Sequence, residues 1–104
     1  MARSQYSRCA GLRGQGTFPP GPLDPEGLPP VLLVNGLDDD STPASGSRAV
    51  AARLPGSVWI GAEADHSVYL GGNRCVREIA HRYLSTGELP ELGGVCPASG
   101  SGMR

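Results

Sequence analysis

Val31-Leu-Leu-Val-Asn-Gly-Leu-Asp-Asp-Asp-Ser-Thr-Pro43 packs four consecutive apolar residues, a glycine, three aspartates and a Thr-Pro pair into thirteen positions. A short apolar run bounded by Pro29-Pro30 and Gly36 predicts a strand over residues 31–35, buried on both faces as in a parallel sheet. Downstream, Thr42 as N-cap, Pro43 at the first helical position and a narrow stripe of Ala49, Val50 and Leu54 predict a helix over 43–54 that stops at Pro55-Gly56. Val58, Trp59 and Ile60 predict a second buried strand over 57–62. From Asn73 as cap, Val76, Ile79, Ala80, Tyr83 and Leu84 recur at helical spacing up to Gly87, with Arg74, Arg77, Glu78, His81 and Arg82 on the other face. Strand, helix, strand, helix implies parallel pairing with right-handed crossovers. Two such strands leave both sheet edges open, so the expected architecture is α/β, a βαβα segment of a larger doubly wound sheet.

Outside this centre the composition changes. Sixteen glycines and ten prolines make up a quarter of the 104 residues and crowd towards the ends. Residues 1–28 therefore read as an irregular Gly/Pro-rich segment, residues 29–97 as the folding unit and residues 98–104 as a flexible tail. Nine basic residues, all arginine, against ten acidic ones give a formal net charge of −1. There is no basic block for nucleic acid or anionic membrane. The longest apolar run is four residues, far below the roughly 20 that span a bilayer. Met1–Cys9 carries two arginines but lacks the apolar core of about 7–15 residues that a signal peptide needs. The chain as written is therefore expected to stay cytoplasmic. Cys9, Cys75 and Cys96 allow three single pairings and always leave one thiol over, which suggests a partner cysteine elsewhere, as in a fragment of a longer chain. No Cys-x-x-Cys or Cys/His ligand spacing is present, so neither a metal nor another cofactor is expected.

In an open α/β sheet, catalytic groups gather beyond the carboxyl ends of the strands. Two loops qualify, Gly36–Pro43 after the first strand and Glu63–Tyr69 after the second. A carboxylate after one strand and His66 after the next follow the order of the last two members of a Ser-Asp-His triad, in which the histidine takes the nucleophile's proton and the carboxylate holds its tautomer. Read structurally instead, the aspartates are a solvated helix-capping loop and His66 is a surface histidine. The three contiguous acids lack calcium-loop spacing. His81, on the polar helix face, is assigned no chemistry.

Val31–Pro43 resembles the Gly-x-x-Asp-x-x-Thr-Pro strand and loop of the C-terminal, TAP-like region of the tripeptidyl aminopeptidase-like serine peptidases, which are α/β-hydrolases. Gly46–Pro55, Asp65-His-Ser-Val-Tyr69 and the closing pattern of Cys75, Tyr83-Leu-Ser-Thr-Gly-Glu-Leu-Pro90 and Val95-Cys96 follow in the family's order, so the resemblance covers about residues 29–97. Cys9-Ala-Gly11 is similar to a Cys-x-Gly-Trp segment upstream, with Leu12 in place of the tryptophan. The resemblance implies the C-terminal βαβα segment of a secreted hydrolase of peptides or related esters, with Asp39 as triad carboxylate, His66 as base and a Cys75–Cys96 disulfide. It departs at the nucleophile, because none of the serines sits in Gly-x-Ser-x-Gly. The expectation is a hydrolase fragment that is inactive alone and acts on its substrate only when completed by an N-terminal portion. The alternative is a non-enzymatic accessory or binding module; a thiol nucleophile at Cys9 or Cys75 is a weaker enzymatic rival.

Overall fold

The computed structural model describes residues 7–14, 16 and 25–98. Among the described residues, three parallel strands and two helices succeed one another from residue 32 onwards as β1 (Leu32–Gly36), α1 (Ala44–Ala51), β2 (Val58–Ala62), α2 (Arg74–Thr86) and β3 (Gly94–Cys96). The sheet order is β1-β2-β3, with Leu32 opposite Val58, Gly36 opposite Ala62, and Ala62 opposite Cys96. Within the described residues this is an incomplete α/β sheet, open at both edges. The parallel β1–β2 pairing read from the sequence is present, and a third strand, for which the sequence pattern predicts no element, lies at Gly94–Cys96 within the folding unit.

Side-chain alternation along β2 separates the two faces. Trp59 donates its indole N–H to Ser47 Oγ on α1 at 2.7 Å, and the Arg48 guanidinium lies 4.2 Å from its ring centroid. Ile60 and Ala62, pointing the other way, are fully buried with Cys75 and Val76 of α2 and with Cys96, while Leu32 and Val34 of β1 pack against them. The helices thus cover opposite faces. Strand β1 stays only half-buried from Leu32 to Asn35, rather than buried on both faces, because it is an edge strand.

Asn73 caps α2 as predicted, its Oδ1 accepting from the Val76 N–H at 3.0 Å, while its Nδ2 donates to the Pro97 carbonyl at 2.9 Å. Helix α2 ends at Gly87, whose φ of 77° is the left-handed cap conformation. Helix α1 is shorter than predicted. It ends at Ala51, three residues before Leu54, and Thr42 is not its N-cap: Pro43 takes that place and no side chain caps the helix. The Thr42 side chain is engaged with Asp39 instead, as described below.

β3 depends on tertiary contacts. Cys96 is joined to Cys75 of α2 by a disulfide with the Cα atoms 5.7 Å apart, and the Glu63 N–H donates to the Cys96 carbonyl at 2.9 Å. The strand also needs Gly93, where a Cβ would lie 2.7 Å from the Trp59 carbonyl oxygen of β2. The disulfide closes a separation of 21 residues, which in the chain-entropy account stabilises the fold by roughly 3 kcal/mol. For a core with so few fully buried side chains, that is a large share. Cys9 is free and exposed.

Candidate active site

Parallel pairing brings the ends of β1 and β2 to one edge of the sheet, with Gly36 opposite Ala62. The loops that follow are joined by two backbone hydrogen bonds, Leu37 N–H to Ala62 O at 2.8 Å and Asp38 N–H to Ala64 O at 3.1 Å. Gly36 permits this closeness. A Cβ there would collide with the carbonyl oxygens of Asp65 and Ala64, so only glycine lets the second loop cross the end of β1 and bring His66 over the first. Ser67, at φ 60°, occupies the left-handed region uncommon for a side chain other than glycine and turns the chain directly after His66.

Asp39 is the buried member of the acidic triplet, while Asp38 and Asp40 are exposed. Its carboxylate accepts four hydrogen bonds. Oδ1 takes the N–H groups of Ser41 and Thr42, both at 2.9 Å. Oδ2 takes the Thr42 hydroxyl at 2.7 Å and lies 2.8 Å from His66 Nδ1. These donors hold the Asp39 carboxyl well below the usual carboxylate range. The Thr42 N–H contributes most and the Thr42 hydroxyl next; burial opposes them, and His66 and the Ser41 N–H add smaller favourable parts. An ionised carboxylate only accepts, so Nδ1 carries the proton in this contact and the lone pair is left on Nε2. The Asp39 side chain is 5% exposed and that of His66 59%, so the acid is inside and the base faces out. The loop is closed further by Asn35, whose Nδ2 donates to the Gly36 and Thr42 carbonyls, both at 3.0 Å.

The imidazole borders a shallow cleft of about 280 Å³, among whose lining residues are Val34, Asn35, Thr42, Ser67, Tyr69 and Leu70. Chemically, such a pair accepts a proton at Nε2 and stabilises the resulting imidazolium through the buried carboxylate. No group of three or more His, Cys, Asp or Glu side chains suited to a metal ion occurs among the described residues. The structure therefore brings together the two residues selected from the sequence. Sequence reasoning missed the tethers: Thr42 was read as a helix cap and Asn35 as a strand residue, and the signal that could have found them is the polar pair flanking the acidic loop. His81 is not merely solvated, since its Nε2 lies 2.6 Å from the Tyr69 hydroxyl with the two rings edge to face.

Comparison with known proteins gives this arrangement a family. Residues 1–96 match the family described as TAP-like protein, within the α/β-hydrolases. Three curated relatives, each named serine protease Hip1, come from Mycobacterium bovis and from two strains of Mycobacterium tuberculosis. Each is 30% identical to this chain over 80 residues, covering 77% of the chain and 15% of the relative. The chain thus spans about one seventh of the length of these relatives. No solved structure matches it. On the strength of a match that runs from residue 1 to residue 96, the chain belongs to the TAP-like family of α/β-hydrolases.

Proposed function

We propose that this chain supplies the carboxylate and the base of a Ser-Asp-His triad in a serine peptidase of the tripeptidyl aminopeptidase-like type, with Asp39 orienting His66 and His66 activating a serine carried on another segment. The observation that carries this reading is the 2.8 Å contact between Asp39 Oδ2 and His66 Nδ1 beyond the carboxyl ends of two adjacent parallel strands. The serine protease relatives support it. Without a Gly-x-Ser-x-Gly elbow among the 104 residues, the pair has no nucleophile to activate, and the chain alone is inactive. Its substrate, once a nucleophile is supplied, is a peptide or a related ester. The Cys75–Cys96 disulfide supports a secreted location, since disulfides persist in oxidising compartments.

The test is turnover of a p-nitrophenyl ester and a tripeptidyl chromogenic substrate, with and without the nucleophile-bearing N-terminal portion of a TAP-like hydrolase. Alone, the wild-type chain and His66→Ala give equal background rates. With the second portion present, turnover appears for the wild type and is lost in His66→Ala. Turnover by the isolated chain that disappears in His66→Ala would overturn the reading and point to an internal nucleophile, Ser41 or Ser67 first, because Cys75 is tied up in the disulfide.

A further inference from the structure

Thr42 sits where three polar groups of the site meet. Its hydroxyl is 2.7 Å from Asp39 Oδ2 and 3.3 Å from His66 Nδ1, and its N–H donates to Asp39 Oδ1 at 2.9 Å. The hydroxyl has one proton. Given to Oδ2, it leaves oxygen lone pairs facing Nδ1, so a protonated Nδ1 meets two acceptors, the carboxylate and the hydroxyl oxygen. The other tautomer would turn the Nδ1 lone pair towards both oxygens. If the hydroxyl then rotated to donate to Nδ1, Asp39 Oδ2 would lose both of its donors. Little else restrains the ring, because the His66 side chain is 59% exposed.

We propose that the Thr42 hydroxyl is a positioning group which, through its bond to Asp39 Oδ2, fixes His66 as the Nδ1–H tautomer and keeps Nε2 as the basic atom. The meaning of this role for catalysis rests on the triad reading above; the geometry does not. A side chain first expected to cap α1 thereby serves the site, and the loop between Gly36 and Pro43 carries both the acid and the group that orients what the acid binds.

The imidazole nitrogens report this directly by ¹⁵N NMR of the full 104-residue chain, at a pH where the rings are neutral, with the two histidines told apart by the spectrum of His66→Ala. In the wild type, His66 shows widely separated shifts, protonated for Nδ1 and unprotonated for Nε2. In Thr42→Val, which keeps the shape and removes the hydroxyl, the two shifts move towards each other. In Thr42→Ser the wild-type pattern returns. An unchanged pattern in Thr42→Val, or a failure of Thr42→Ser to restore it, overturns the proposal. Should Thr42→Val not fold, the wild-type chain decides: a Thr42 hydroxyl proton resolved and protected from exchange supports the bond to Asp39, and its absence overturns it. None of these readings involves turnover. An inert complementation assay with the tautomer fixed would therefore count against the triad reading alone, and an unchanged Thr42→Val spectrum with active complementation would count against Thr42 alone.

Discussion

The carboxyl edge of the sheet and the packed body beneath it are held by different means. At the edge, Asp39 and His66 are placed by hydrogen bonds within and between two loops, with the base largely in solvent. In the body, Ile60, Ala62, Val76 and the Cys75–Cys96 disulfide are excluded from water and interlock β2, α2 and β3. A loop-built site of this kind contributes little to global stability, and a small covalently tied core contributes nearly all of it. The two are joined at Gly36, where the end of β1 touches the loop that carries His66.

If that division holds, substitutions should sort by region. Replacing Cys75 and Cys96 together by alanine should lower unfolding stability most, by roughly 2–5 kcal/mol. Urea titration would show it, and a loss below about 1 kcal/mol would mean that the body does not depend on its covalent tie. Gly36→Ala should couple the regions: the backbone has to shift at the cost of about 1–3 kcal/mol, as for overpacking, and the Asp39–His66 contact should be lost. A variant with intact site geometry and unaltered stability would break the account of Gly36. Asn73→Ala removes the α2 cap and the tie to Pro97 and should cost about 1–2 kcal/mol in the same titration. Acid should act at the edge. The Asp39 carboxyl is held below its unfolded-state range, so its contribution is fully present above about pH 4 and is lost as the pH falls from there towards the lower folded-state value. Thermal melts against pH should therefore fall less steeply below about pH 4 for Asp39→Asn than for the wild type. Smallest of all, His66→Ala should shift stability by no more than about 0.5 kcal/mol, because the side chain is mostly exposed.

The same contrast explains what could be read in advance. Val31–Val34, Val58–Ile60 and the Asn73-to-Gly87 helix declare themselves by local pattern, since burial on a strand or along one helical face imposes its period on the chain. Asp39 and His66 were accessible from loop position and family resemblance, given a parallel sheet that aligns the strand ends. β3 was not legible. Its three residues follow Gly93 and precede Pro97, and they become a strand only because β2 offers an edge and Cys75 a bond. The Thr42 error is of another kind. A Thr-Pro pair suits a helix start, and the hydroxyl that would have capped the helix finds a carboxylate three residues earlier instead. Local propensity allowed both outcomes, and a side-chain bond to a neighbour three residues away competed successfully with the helix cap.

The central claim is that Asp39 and His66 form a preassembled acid–base pair in this chain, and the most direct measurement is the proton shared between them. In ¹H NMR of the wild-type chain, the imidazole Nδ1 proton of His66 should appear as a protected, strongly downfield signal that vanishes in Asp39→Ala while the rest of the spectrum stays folded. No such signal in the folded wild-type chain, or one that survives the loss of Asp39, would contradict the account.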